Sequence, residues 1–160
     1  MWFIFPVVAL SAFFAGGCSE QRNVAYNPLE PLADKVSGRK AFEHVSVLVN
    51  FGPRPAGSDA LEESRRYIEN KLSDYGWTVE RQVFTGMTPD GEVEFTNLRA
   101  RFGDTGFGQP VIGLLASHYD TKPYQSFEFV GANDGGSSSG LLIELARVLA
   151  ERPETCLLYT

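Results

Sequence analysis

His118, Asp120 and Asp134 are the residues of this chain whose types and spacing suit metal chemistry. The string Ser117-His118-Tyr119-Asp120-Thr121-Lys122 follows directly on the apolar run VIGLLAS (111–117). That run is continuous and bounded by turn residues, which predicts a strand buried on both faces. Ligands of open parallel sheets bind at the carboxyl ends of the strands, so His118 emerges at a rim where ligands gather. Asp120, two residues on, points the same way and can fix the imidazole tautomer through a carboxylate–imidazole hydrogen bond. The loop then runs to Gly131-Ala132-Asn133-Asp134-Gly135-Gly136, where the next helix begins, and this brings Asp134 to the same rim. One imidazole and two carboxylates converging there make half of a divalent metal site. Plainer roles stay open at this point: a rim histidine bonded to backbone for His118, and a helix N-cap for Asp134. The other histidine, His44, falls within an amphipathic helix as a solvent or interface residue, and Lys122 can pair with Asp120 at the surface.

The elements that must position these residues follow from periodicity. Ala41, Phe42, Val45, Leu48 and Val49 recur every three or four residues and predict a helix from Ser37. FGPRPAGS stops it. Ser58 and Asp59 offer cap oxygens to a second helix over 59–75, with Asp59 and Glu62 at capping-box spacing and Gly76 as its C-terminal cap. Trp77–Phe84 and Val93–Phe102 are rich in β-formers and flank the turn Thr88-Pro89-Asp90-Gly91, which predicts an antiparallel hairpin. A change of apolar phase in its second strand predicts a bulge near Asn97. Ser137–Ala150 is helical with Leu141, Leu142, Leu145, Val148 and Leu149 inward, and CLLYT opens another buried strand after Arg152 and Pro153. Strand, helix, strand in that order implies a right-handed parallel crossover. The expected fold class is α/β: a mixed, centrally parallel sheet with helices on both faces.

Composition narrows the function classes. The chain has 160 residues with 14 basic against 20 acidic side chains, a net charge of −6, which argues against a nucleic-acid binder that tracks phosphates. Two cysteines exclude a disulfide-built miniprotein. Residues 1–19 carry no charged side chain, and their apolar run closes on Ala15-Gly16-Gly17-Cys18. This reads as an export signal over residues 1–17. The last four residues resemble a bacterial lipobox in which Cys18 takes the lipid, anchoring an exported periplasmic or cell-envelope lipoprotein to the membrane. An ordinary cleaved signal or a short uncleaved anchor is the alternative. Residues 18–37 are polar, contain two prolines and read as a tether, which leaves 38–160 for the α/β domain. Cys156 lies in an apolar run and reads as a small core residue.

SHYDTK followed by FVGANDGGSSSG and an apolar helix resembles the zinc-dependent M28 aminopeptidase superfamily. More narrowly, FGPRPAGS, FTGMTPDGEVEFTN, HYDTK and FVGANDG, in that order, resemble the animal-type glutaminyl-peptide cyclotransferases. The resemblance spans roughly residues 40–153. It implies zinc as cofactor, peptide or protein N-termini as substrate, and release of ammonia as an N-terminal glutamine becomes pyroglutamate. It implies Asp134 as the carboxylate zinc ligand and His118 at the position that binds a second zinc in two-metal aminopeptidases and that cyclotransferases retain without its being an essential ligand. It also implies Asp120 as the supporting acid of His118. Ser117 and Ser139 stand where animal cyclotransferases carry a disulfide. The family also uses an adjacent Glu pair, one of them the general acid–base, together with a distant histidine ligand and an indole-lined pocket. These are expected beyond residue 160, so the chain as it stands is expected to be an inactive N-terminal part that does not hold zinc tightly. A zinc aminopeptidase is the second reading, and a non-catalytic surface lipoprotein the third.

Overall fold

Ser37 opens the first long helix because its hydroxyl accepts the Lys40 N–H at 3.3 Å, satisfying one of the amide donors a helix start leaves free. The computed structural model describes residues 30–89, 91–103, 106–110 and 113–151. In chain order these form α1 (Glu30–Ala33), α2 (Gly38–Asn50), α3 (Asp59–Asp74), β1 (Trp77–Thr88), β2 (Gly91–Phe102), a π-helical turn (Ala132–Ser137) and α4 (Ser138–Ala150). The expected signal, the lipobox with Cys18, the first part of the tether and Cys156 lie outside the described residues. Among the described residues no helix is long and apolar enough to cross a membrane.

The helices fall where periodicity places them, with different faces inward. In α2 the buried residues are His44, Val45 and Leu48, whereas Phe42 is 68% exposed. His44 is therefore a core residue, contrary to the solvent or interface role expected for it. Its Nδ1 lies 2.6 Å from the Tyr67 hydroxyl of α3, a partner that makes its burial tolerable. Burial lowers its pKa. In α3 the cap is Ser58, whose hydroxyl accepts the Leu61 N–H at 3.2 Å, rather than an Asp59–Glu62 box. Glu62 instead meets Arg65, Arg66 and Arg81. Gly76 follows at φ +85°, the left-handed turn that ends α3.

β1 and β2 pair antiparallel from Trp77↔Phe102 to Thr88↔Gly91 without a break in register, so there is no bulge at Asn97. The phase change arises because the two halves use opposite faces. Leu98 and Ala100 bury one face against the helices, while Phe84 and Phe95 stack on the other at 5.6 Å between ring centroids. The core joins Leu48 of α2, Ile68 and Leu72 of α3, Trp77, Leu98 and Ala100 of the hairpin, and Ile143 and Ala146 of α4. The Trp77 indole donates to the Ala146 carbonyl at 3.0 Å, which fixes the hairpin base on α4. The buried face of α4 is Ser139, Gly140, Ile143, Glu144, Ala146 and Val148, while Leu141 is exposed. Glu144 is wholly buried, accepting from Arg147 at 2.7 and 2.8 Å and from the Ser37 N–H at 2.9 Å.

Among the described residues the sheet has two strands, β1 and β2. Residues 113–120 carry no regular secondary structure, and Leu114 is 63% exposed. The central parallel sheet is thus not present among them. A strand needs neighbours to take up its backbone donors and acceptors. Val111, Ile112 and the CLLYT segment expected to supply the next strand lie outside the described residues. A cavity of 440 Å³ is lined by Leu98 and Arg99 of β2, by Leu114, Ala116 and Ser117, and by Leu142 and Ile143 of α4.

Candidate metal centre

Three of the side chains singled out by the sequence meet in one place. His118 Nδ1 lies 3.2 Å from Asp120 Oδ1, and its Nε2 lies 3.1 Å from Asp134 Oδ1. One carboxylate therefore takes each ring nitrogen, and all three side chains remain about half or more exposed to solvent. Tyr119, between His118 and Asp120, turns the other way: its hydroxyl donates to the Thr96 carbonyl at 2.6 Å and accepts from Arg65 at 3.1 Å. His118 and Asp120 thus share the rim while Tyr119 between them anchors the segment from the other side. Burial, opposed by Arg65, raises the Tyr119 pKa. Lys122 does not pair with Asp120; its ammonium lies 5.3 Å from the Tyr124 ring centroid.

Asp134 reaches this point through irregular backbone rather than as a helix cap. Within the π-helical turn, Asp134 (φ −82°, ψ 98°) and Gly135 (φ +86°, ψ −41°) depart from helical geometry. A Cβ on Gly135 would stand 2.7 Å from the His118 carbonyl and 2.8 Å from ring atom Cε1, so only glycine lets the turn close over the imidazole. Gly135→Ala is accordingly expected to cost about 1–3 kcal/mol and to separate Nε2 from Asp134. Thermal unfolding and a structure of the variant check this; an unmoved ring and unchanged stability would contradict it. From the other side, Ser139 donates to the His118 carbonyl at 2.9 Å, and the Ser117 and Ser139 hydroxyls lie 3.1 Å apart. These two serines hold the rim to α4 by hydrogen bonds.

The donor set and its spacing suit a zinc ion in part. Imidazole nitrogen and carboxylate oxygen are hard-to-borderline donors, and a tetrahedral ion binding both at its usual distances sets them roughly 3.3 Å apart. Nε2 and Asp134 Oδ1 already stand 3.1 Å apart, while Asp120 on Nδ1 leaves Nε2 as the nitrogen that faces Asp134. Two donors are nevertheless fewer than the three or four protein ligands of a zinc site. Among the described residues no group of three or more His, Cys, Asp or Glu could hold a metal ion. Glu144 and Glu151 offer nothing here, since both are held by Arg147 and Glu151 also by Lys35.

Sequence reasoning did not find Arg54, which lies beneath this rim wholly buried. Its flanking prolines in FGPRPAGS were the available signal, because they fix how the residue is presented.

Residues 97–157 match the model of peptidase family M28. Glutaminyl-peptide cyclotransferase of Drosophila melanogaster is 30% identical over 151 residues, covering 86% of this chain and 40% of that protein. A glutaminyl-peptide cyclotransferase-like protein of Bos taurus is 38% identical over 100 residues, 60% of this chain and 25% of the relative. Among solved structures, Porphyromonas gingivalis glutaminyl cyclase superposes with a TM-score of 0.67 at 30% identity, covering 79% of this chain and 44% of that one. A Zn-dependent exopeptidase from Parabacteroides distasonis gives a TM-score of 0.67 at 27% identity, over 78% and 45% of the two chains. The chain spans less than half the length of each of these relatives.

Proposed function

On the premise that this chain belongs to the M28-type zinc peptidase superfamily and resembles its glutaminyl-peptide cyclotransferases, we propose that it serves to convert N-terminal glutamine into pyroglutamate. The observation that carries this reading is the His118 imidazole held between Asp120 and Asp134, in a chain 30% identical over 151 residues to a cyclotransferase. We propose with it the centrally parallel sheet of the expected fold class.

In this proposal Asp134 would hold the zinc, while the His118 imidazole, held by Asp120 at Nδ1, stands beside it at the second-metal position. Zinc bound there would supply Lewis-acid polarisation of the glutamine side-chain amide carbonyl. The peptide's α-amine attacks that carbonyl carbon, the new C–N bond closes the ring, and the amide nitrogen leaves as ammonia with the proton the amine gives up. Holding amine and carbonyl in one molecule gives the reaction its proximity, so no water need be activated. Asp120 is engaged on the imidazole, and Glu144 and Glu151 are engaged by Arg147. By the resemblance, the proton carrier in the proposal is one glutamate of the adjacent pair that the cyclotransferases use.

Export through residues 1–17, lipidation at Cys18 and a tether that ends where α1 packs with Leu32 buried complete the proposal and place the activity at the cell envelope. The uncharged run closing on Ala15-Gly16-Gly17-Cys18 supports this. An aminopeptidase is the second reading, favoured by the likeness to a Zn-dependent exopeptidase and by a His118–Asp134 spacing that also suits a two-metal centre. Chelation tests the metal chemistry. The longest product of the gene, dialysed against a chelator, is expected to lose turnover of a Gln-initiated peptide and to regain it with zinc alone. Undiminished turnover in chelator would refute the metal role.

A further inference from the structure

The mechanism above gives the buried Arg54 no role. Arg54 is wholly buried, yet the hydrogen bonds of its guanidinium all go to backbone carbonyls. Nε donates to Tyr119 O at 2.9 Å, and Nη1 donates to Leu48 O at 2.8 Å, Val130 O at 2.9 Å and Gly52 O at 3.1 Å. Nη2 reaches Gly131 O at 3.5 Å. The backbone of Arg54 adds a reciprocal pair with Thr121, whose N–H donates to Arg54 O at 2.9 Å and whose hydroxyl accepts the Arg54 N–H at 2.8 Å.

These partners belong to three segments. Tyr119 stands between His118 and Asp120. Val130 and Gly131 open the turn that carries Asp134. Leu48 and Gly52 mark the C-terminal end of α2, where carbonyls lack helical partners and carry partial negative charge. Burying a guanidinium without a carboxylate is costly, and burial does lower the Arg54 pKa, with the charge of Asp120 acting the other way. An apolar side chain would fill the space without that cost. What arginine adds is a rigid planar fork of five donors, presented by the prolines at 53 and 55, that ties all three segments at once.

We propose that Arg54 is a positioning residue that sets the separation of His118 from Asp134 by clamping the Tyr119 and Val130–Gly131 carbonyls to the end of α2. This rests on the reading of Asp134 as a zinc ligand with His118 beside it. Lysine cannot replace it, because three donors on one atom do not span these carbonyls.

The test compares Arg54→Met and Arg54→Lys with Leu72→Ala, a core truncation that lowers stability elsewhere, in the longest product of the gene. Zinc affinity, measured with the metal alone against a competing chelator, is expected to fall about 10–100-fold in both Arg54 variants, as for other groups that orient ligands. It is expected to stay within about twofold in Leu72→Ala, since the two sites share no hydrogen bonds. Wild-type affinity in Arg54→Met, or an equal loss in Leu72→Ala, would overturn the proposal. A second readout needs no metal. The Gly136 amide, bonded to Gly131 O at 3.0 Å, is expected to exchange its hydrogen about tenfold faster in the Arg54 variants. If the wild-type protein takes no zinc, the metal reading fails, and unchanged Gly136 exchange would then overturn the positioning role independently. Unfolding of both Arg54 variants counts against it, because a positioning role requires the remaining fold to survive.

Discussion

Replacing Glu144 with alanine is expected to lower stability by about 3 kcal/mol, the lower end of what breaking a buried ion pair costs. The carboxylate is wholly buried and takes three hydrogen bonds, two from Arg147 and one from the Ser37 N–H that starts α2. Removing it opens a cavity and leaves a backbone donor without an acceptor. Arg147 keeps Glu151 at 2.8 Å and Lys35 O at 3.2 Å, which holds the loss to the lower end. Against an ordinary total of roughly 5–15 kcal/mol this is a large share. Burial alone would raise the Glu144 pKa, but the Arg147 and Ser37 hydrogen bonds outweigh it and hold the carboxyl below the ordinary value. A depressed folded pKa means the stabilisation is fully present above the unfolded value, about 4.3, and fades as pH falls through the folded one. Wild type and Glu144→Ala should therefore differ most near neutrality and converge in acid. Urea unfolding at several pH values measures this, and a gap that widened in acid would contradict the ion pair.

Asp134→Ala is expected to remove zinc from the longest gene product while leaving its stability within about 0.5 kcal/mol, the usual range for exposed substitutions. Asp134 is exposed, and its contact in the structure is with the His118 ring. Asp120→Asn is expected to weaken zinc binding less than Asp134→Ala, because Asp120 acts only through the His118 imidazole. Metal content after gel filtration, read with a chelator competition, distinguishes the two. Equal zinc in Asp134→Ala and wild type would contradict the ligand assignment.

The site was legible because its parts are local. His118 and Asp120 sit two residues apart at the end of an apolar run, and the glycines around Asp134 announce a turn that backbone must approach closely. The hairpin and α3 were legible for the same reason, through turn residues and a single stripe ending at Gly76. What escaped was carried by partners distant in sequence. His44 reads as a surface residue until Tyr67 is known to meet it 23 positions later. Glu144 takes one of its three hydrogen bonds from the Ser37 N–H, 107 residues away. Arg54 leaves no period at all, because its acceptors are carbonyls of other segments. The bulge at Asn97 was inferred from a phase change that the unbroken hairpin produces by turning apolar residues to opposite faces in its two halves.

Mass spectrometry of a Gln-initiated peptide incubated with the longest gene product and zinc tests the central claim most directly. Cyclisation predicts a product that has lost one ammonia and kept every residue. A peptide shortened by its first residue, with no pyroglutamyl form, would contradict the account and establish the aminopeptidase instead.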